Sequence, residues 1–259
     1  MTLLVVIPAR LGASRLSRKP LRLLGGVPLV VRVWERVTAL QLDGRCIVAT
    51  DSDEVAQAVR RAGAEAVMTA DRHPSGTDRV AEVAAMPRYA GCDVIVNVQG
   101  DEPFLSGEAV RGAAALVSSG SFPLGTAAAP LGAAQLESPD VVKVVHADDG
   151  RAMYFSRAAI PFARNTEDRP ARDRLARQHI GVYAYSRDAL AQWVALPPHP
   201  LEQSERLEQL RPLAAGIAMG VASVSDAVTG QGGVGGGIDT EEDLERANAL
   251  WPDFITGRA

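Results

Sequence analysis

Four basic side chains, Arg10, Arg15, Arg18 and Lys19, fall within the stretch Pro8-Ala9-Arg10-Leu11-Gly12-Ala13-Ser14-Arg15-Leu16-Ser17-Arg18-Lys19-Pro20. Small residues let backbone N–H groups approach an anion, while arginine forks and a lysine point charge neutralise it. The chemistry this suits is the holding of a triphosphate or pyrophosphate. Neither Gly-x-x-x-x-Gly-Lys-Ser/Thr nor Gly-x-Gly-x-x-Gly is present, so the loop is of neither common nucleotide-binding type. A solvated basic loop is the competing reading. Val98-Gln99-Gly100-Asp101-Glu102-Pro103 is the second stretch. A carboxylate beside glycine at a strand tip suits Mg²⁺, which takes one or two protein carboxylates and fills its other positions with phosphate and water. Against this, Asp101 reads equally as a turn residue. Gln99 suits a base edge or a loop carbonyl. Asp239 follows six glycines in 230–237 and precedes a helical pattern. Asp239 or Thr240 reads as the cap of that helix, and Asp239 also reads as a second metal ligand, the two roles being compatible because a cap uses one oxygen.

Three further stretches place polar groups among apolar neighbours: Met153-Tyr154-Phe155-Ser156-Arg157, His179-Ile180-Gly181-Val182-Tyr183 and Leu207-Glu208-Gln209-Leu210. Taken alone, His179 reads as a structural histidine. His73 and His199 have no ligand spacing with other histidines or cysteines, which argues against zinc. A Gly-x-Ser-x-Gly nucleophile turn is absent.

The elements that must carry these residues alternate. Residues 3–7 form an apolar run that Pro8 ends, a buried first strand. Strands are also expected at 46–50, 66–68 and 93–98, with helices at 28–40, 55–62 and 77–85 between them. This pattern predicts an α/β fold with a largely parallel sheet and helices on both faces. In such sheets ligands bind beyond the carboxyl ends of the strands. Loops 8–19, 50–53 and 99–103 follow such ends. In the second half, 141–145 and 180–185 read as strands, 168–177 as an exposed loop or short helix, and 201–213 as one helix stopped by Pro212. A last helix starts at 239–244.

The chain of 259 residues is 47% apolar and 22% charged with a net charge of −4, which excludes a disordered tail and any general attraction to nucleic acid or anionic lipid. No apolar run approaches the ~20 residues of a membrane span. The start lacks the basic region of a signal peptide, so a cytoplasmic location is expected. Cys46 and Cys92 are too few for a disulfide framework and read as reduced, buried thiols.

Taken together the stretches resemble one family, the cytidylyltransferases that activate 3-deoxy-D-manno-octulosonate (Kdo), the CMP-Kdo synthetases. The resemblance is carried by Val6-Ile7-Pro8-Ala9-Arg10, Arg15-Leu16 and Lys19-Pro20-Leu21; Val48-Ala49-Thr50-Asp51; Ser75-Gly76-Thr77-Asp78-Arg79; Val96 through Pro103; and Val142-Lys143-Val144-Val145. It continues in Tyr154-Phe155-Ser156-Arg157, His179 through Tyr183, Leu207-Glu208-Gln209-Leu210-Arg211 and Ile238-Asp239-Thr240. The CMP-sialate synthetases share the Ile-Pro-Ala-Arg opening but lack the Tyr-Phe-Ser-Arg and Leu-Glu-Gln-Leu elements.

The resemblance implies a Rossmann-like nucleotide-diphosphosugar transferase fold with a mixed, mostly parallel sheet, Mg²⁺ dependence, a homodimer and a place in lipopolysaccharide biosynthesis. The implied reaction joins CTP to a 3-deoxy-2-ulosonate, giving the CMP-sugar and pyrophosphate. Arg10 and Lys19 would hold the triphosphate, with Arg15 as helper. Asp101 and Asp239 would bind Mg²⁺. Backbone at Pro8 and Ala9, with Ser75, Gly76 and Gln99, would select cytosine. Arg157, His179, Tyr183, Glu208 and Gln209 would hold the sugar acid. One cytidylyltransferase domain over 1–259 is expected: a nucleotide-binding half to about 150, a sugar-acid and dimerisation part at about 151–230, and a metal-site loop and helix at 231–259. Ala13, Ser17-Arg18, the stretch 164–178 and the long glycine run depart from the family pattern. The alternatives are an 8-amino-Kdo or nonulosonate acceptor, a non-catalytic nucleotide-binding paralogue, and a nucleotide-sugar oxidoreductase, the last disfavoured by the missing Gly-x-Gly-x-x-Gly.

Overall fold

Strand β1 (Leu3–Ala9) is buried from Leu4 through Ile7 because it has a parallel partner on each side. In the computed structural model, which describes residues 2–12, 15–225 and 237–256, it pairs with β4 (Gly44–Thr50) and β6 (Val94–Asn97). β1 runs through Pro8 rather than ending there. Successive residues bond to opposite sides, and Val6 accepts from Val98 N on the β6 side. The nitrogen of Pro8 therefore faces the same side, beyond the last β6 pair at Val6 and Asn97, where no ladder bond is lost.

The chain divides into two compact units, Met1–Gly107 with Val228–Ala259, and Glu108–Ala227. In the first, a hairpin of β2 (Leu23–Leu24) and β3 (Val27–Pro28) turns at Gly25 and Gly26, both at positive φ. Helix α1 (Leu29–Ala39) follows and buries Leu29, Val30, Val31, Val33 and Val37. Helix α2 (Asp53–Arg61) follows β4; Ser52 caps it, acids open it and arginines close it, as the helix dipole favours. Next come β5 (Glu65–Met68) and α3 (Gly76–Ala84), capped by Ser75. The order within this unit is β6-β1-β4-β5, all parallel. The chain moves outward from β1 to β4 and β5, then returns to the other side of β1. That reversal places the ligand crevice of such sheets at the carboxyl ends of β1 and β6.

The second unit opens with α4 (Gly107–Ser118) and β7 (Leu124–Pro130), then α5 (Ala133–Glu137), β8 (Lys143–His146), β9 (Ala152–Ser156) and α6 (Arg169–Leu175). It continues with β10 (Arg177–Ser186), α7 (Arg187–Ala195), α8 (Pro200–Glu205), α9 (Leu210–Ala214) and β11 (Met219–Ser223). β10 is antiparallel to β7 and β8, while β11 runs parallel to β7. The single helix expected over 201–213 is two helices. Arg206 adopts φ 56° and ends α8, and Pro212 lies inside α9, in the first turn, where its missing N–H had no helical partner to lose. The chain returns to the first unit with α10 (Glu241–Ile255). Of the glycine run at 230–237 only Gly237 falls within the described residues, as do neither Ala13 nor Ser14. Cys92 is buried as expected; Cys46 is only partly so.

Candidate active site

Three loops converge beyond the carboxyl ends of β1 and β6. A side chain at Gly100 would come within 2.7 Å of the Pro8 carbonyl oxygen, so glycine permits the approach of the two strand ends. Gly76 faces Pro8 as well, with its missing Cβ 3.3 Å from the proline ring. Pro8, Gly76 and Gly100 thus meet, and with them the residues expected to read cytosine. Ser75 is the cap of α3: its hydroxyl accepts from Asp78 N at 3.3 Å and donates to Asp78 Oδ2 at 2.7 Å. Arg79, almost wholly buried, fastens this loop by donating to Asp51 Oδ2 at 2.8 Å and to Ala70 O at 3.2 Å.

The charged centre lies beside them. Lys19 Nζ bonds to Asp101 Oδ2 and, at 2.7 Å, to Asp239 Oδ1, while Arg15 Nη2 reaches Asp239 Oδ2 at 2.8 Å. Burial opposes the Lys19 charge, but Asp101 and then Asp239 outweigh it and hold the lysine above its ordinary value. The loop closes on itself: Ile238 N donates to Asp101 O at 3.0 Å, and a Cβ at Gly237 would lie 2.8 Å from Asp101 Oδ2. Neighbouring Glu102 is pushed up to about 8, first by burial and then by the Asp101 charge. Arg10 is exposed and has no side-chain partner among the described residues.

Of the two expected caps, Asp239 and Thr240, the structure uses Thr240. Thr240 is the N-cap of α10, accepting from Asp243 N at 3.1 Å, while Asp243 accepts from the backbone N–H of Asp239 and Thr240. The Asp239 carboxylate is left to Lys19 and Arg15. Two carboxylates sharing one ammonium present oxygen donors to one point, a donor set that suits a hard cation. Among the described residues no cluster of three or more His, Cys, Asp or Glu could hold a metal. Phosphate and water would have to supply the rest of the shell.

In the second unit, Arg157 is fastened at the end of β9. Its N–H donates to Glu205 Oε2 at 2.9 Å, its Nε to Glu205 O at 2.9 Å and its Nη1 to Pro139 O at 2.9 Å. The Glu205 carboxylate also accepts from Ser156 Oγ at 2.6 Å. Lys143, fully buried, gives its ammonium to the carbonyls of Ser138, Val141 and Arg157. Burial and the nearby Arg157 charge hold Lys143 below its ordinary value. His179 packs edge-on against Phe155, ring centres 5.0 Å apart, and Tyr183 lies 5.5 Å beyond it. Burial pushes the imidazole down to about 3, so it is neutral. Glu208 is exposed and Gln209 buried, in the turn that Arg206 creates between α8 and α9. Arg211 anchors that turn by donating from Nε to Glu202 Oε2 at 2.8 Å. Lys143, Glu205 and Glu202, which fasten the candidate residues, escape sequence reasoning; only Lys143 sits in a quoted motif, and nothing in the chain links the other two to a site before folding.

Such a charged centre at the switch point of a parallel sheet defines a nucleotide-handling α/β protein, and the comparisons with known proteins agree. Residues 4–219 match the cytidylyltransferase family model. The chain is 60% identical over 251 residues to the 3-deoxy-manno-octulosonate cytidylyltransferase of Gemmatimonas aurantiaca, covering 97% of this chain and 95% of that one. It is 47% identical to that of Azorhizobium caulinodans, over 95% and 94% of the two chains. A solved structure of CMP:2-keto-3-deoxy-manno-octonic acid synthetase complexed with CTP superposes with a TM-score of 0.86 at 37% identity, over 98% and 99% of the two chains. The chain belongs to the cytidylyltransferase family, within its CMP-Kdo synthetase (3-deoxy-manno-octulosonate cytidylyltransferase) branch.

Proposed function

We propose that this chain transfers CMP from CTP to Kdo. The anomeric 2-hydroxyl oxygen bonds to the α-phosphorus, the bond to the β-phosphate oxygen breaks, and pyrophosphate leaves with the electron pair. The hydroxyl proton passes to solvent, and no covalent enzyme intermediate is needed. The observation that carries the reading is the meeting of Asp101 and Asp239 on Lys19. Mg²⁺ held by the two carboxylates would draw charge from the α-phosphate and acidify the attacking hydroxyl. With the carboxylates engaged in that way, Lys19 and Arg15 would face the phosphates together with Arg10, which has no side-chain partner among the described residues. Charge clamping of this kind is the main contribution a protein makes to transfer at phosphorus. Pro8, Ala9, Ser75, Gly76 and Gln99 read cytosine. Arg157 takes the sugar carboxylate, and His179, Tyr183, Glu208 and Gln209 take hydroxyls.

A homodimer in the cytoplasm, supplying lipopolysaccharide synthesis, completes the proposal. The dimer draws support from Met153, Phe162 and Leu175, large apolar side chains left exposed in one segment of the second unit, Phe162 at 85%. Among the described residues no helix is long and apolar enough to cross a membrane. The test is pyrophosphate release from CTP with and without Mg²⁺, offering Kdo, 8-amino-Kdo or sialic acid. Release that requires Kdo and fails with UTP is the expected result. Release with another acid alone moves the acceptor; none with any acid overturns the reading. Light scattering settles the dimer.

A further inference from the structure

Strand β10 carries a bulge. Ile180 pairs with Ala127 and Tyr183 with Thr126, so Gly181 and Val182 have no residues opposite them. The slack turns two carbonyls toward the buried Thr126 hydroxyl: Val182 O at 2.7 Å and Ile180 O at 3.4 Å. His179 Nε2 lies 2.9 Å from the same hydroxyl. A hydroxyl has one proton and two lone pairs. A carbonyl can only accept, so the Thr126 proton goes to Val182 O. The bond to His179 then runs the other way, with Nε2–H donating to Thr126. The ring has one proton when neutral, which leaves Nδ1 bare. Nδ1 has no protein partner among the described residues, although His179 as a residue is only 9% exposed. Phe155 and Tyr183 flank the ring and supply no charge to it.

We propose that Thr126 is a positioning residue that fixes His179 as the neutral Nε2–H tautomer and presents Nδ1 as a hydrogen-bond acceptor for a hydroxyl of the sugar acid. The inference rests on the assignment of His179 to the sugar acid above. It narrows what His179 can read: a bare Nδ1 receives a hydroxyl proton and repels a carboxylate, so the carboxylate is left to Arg157. The low proton affinity that burial gives the ring keeps this state through the neutral range.

The first measurement is a two-bond ¹H–¹⁵N correlation spectrum of the histidine rings in the ligand-free protein, the His179 signals assigned by their loss in His179→Asn. A protonated Nε2 and a bare Nδ1, unchanged from pH 8 to 5, are expected. A proton on Nδ1, or an imidazolium near neutrality, overturns the proposal without recourse to any variant. In kinetics, Thr126→Val is expected to raise KM for Kdo about tenfold, the worth of one hydrogen bond, with KM for CTP unchanged. Thr126→Ser keeps the hydroxyl and stays near wild type. The double variant Thr126→Val/His179→Ala is expected to be no worse than His179→Ala, because Thr126 acts through the ring. Additive effects sink the positioning role alone. An unchanged Kdo KM in His179→Ala instead removes His179 from the sugar site, and the inference falls with that assignment.

Discussion

Asp239→Asn separates the two roles that position 239 offers. The carboxylate touches Lys19 and Arg15, while the start of α10 is held by Thr240 and Asp243. Removing the Asp239 charge leaves Lys19 with Asp101 and leaves the cap whole. The Asp239 and Arg15 side chains are 38% and 68% exposed, and pairs of that kind contribute about 0–1 kcal/mol. Thermal unfolding of Asp239→Asn should therefore stay close to wild type. Thr240→Ala removes the cap, a loss of about 1 kcal/mol and so about 2–4 °C in a chain of this size. Activity should split the other way. Asp239→Asn should lower kcat/KM for pyrophosphate release by about 10²–10³, as the loss of one preorganised electrostatic group does. Thr240→Ala should stay within about fivefold, about 1 kcal/mol on the barrier. Differential scanning calorimetry and coupled pyrophosphate detection read both quantities on the same preparations. A large fall in melting temperature with little loss of turnover in Asp239→Asn would refute the argument and return Asp239 to the cap.

Arg157→Ala should raise KM for Kdo by about 10–100-fold with KM for CTP unchanged, and Arg157→Lys should not restore it, because an ammonium cannot bridge the Glu205 and Pro139 carbonyls while facing the substrate. Steady-state kinetics with each substrate varied decides this, and an effect on CTP alone contradicts it. Gly100→Ala places a methyl 2.7 Å from Pro8 O and should weaken CTP binding by calorimetry while Kdo binding is kept. Glu102, with an ordinary value of 4.5 and a folded value of about 8, contributes stability that is present below pH 4.5 and lost as pH rises through 8. His179, at 6.5 and about 3, contributes stability present above pH 6.5 and lost as pH falls toward 3. Between pH 4.5 and 6.5 these two slopes oppose each other, so Glu102→Gln should expose a loss near 1.4 kcal/mol per unit on acidification, read by urea unfolding of the ligand-free protein; an unaltered slope refutes it.

The nucleotide side was readable because its signals are local. Leu3 through Ile7 and Val94 through Val96 are apolar on both faces, and each strand runs on into a loop of the candidate site. Glycines at 100 and 237 mark the places where backbone must come close. The second unit resisted reading because its strands get their identity from partners. β7, Leu-Gly-Thr-Ala-Ala-Ala-Pro, carries almost none of the β-branched residues that favour strands, and it is buried because β10 and β11 flank it. The break at Arg206 is a left-handed residue that helical periodicity cannot show. The role of Asp239 was ambiguous for a similar reason, since Asp and Thr are both good caps and only the folded loop shows which side chain turns inward.

The charged centre depends on segments more than two hundred residues apart, and one apolar cluster brings them into register. Leu16 follows Arg15 and Phe104 lies three residues past Asp101; Ile238 precedes Asp239, and Leu244 is in the first turn of α10. All four are buried in one cluster with Leu24, Leu29, Ala247 and Trp251. Phe104 meets Trp251 and Phe254 edge-on at 5.7 and 4.9 Å, so the last helix is locked onto the segment that follows Asp101. Burying these faces stabilises the unit by the transfer of apolar surface from water, and the same packing sets the separation of the two carboxylates. Like charges brought together in this way repel, and Lys19 and Arg15 offset that repulsion. On the proposed reading, a dication held by Asp101 and Asp239 would free Lys19 and Arg15 to meet phosphate charge.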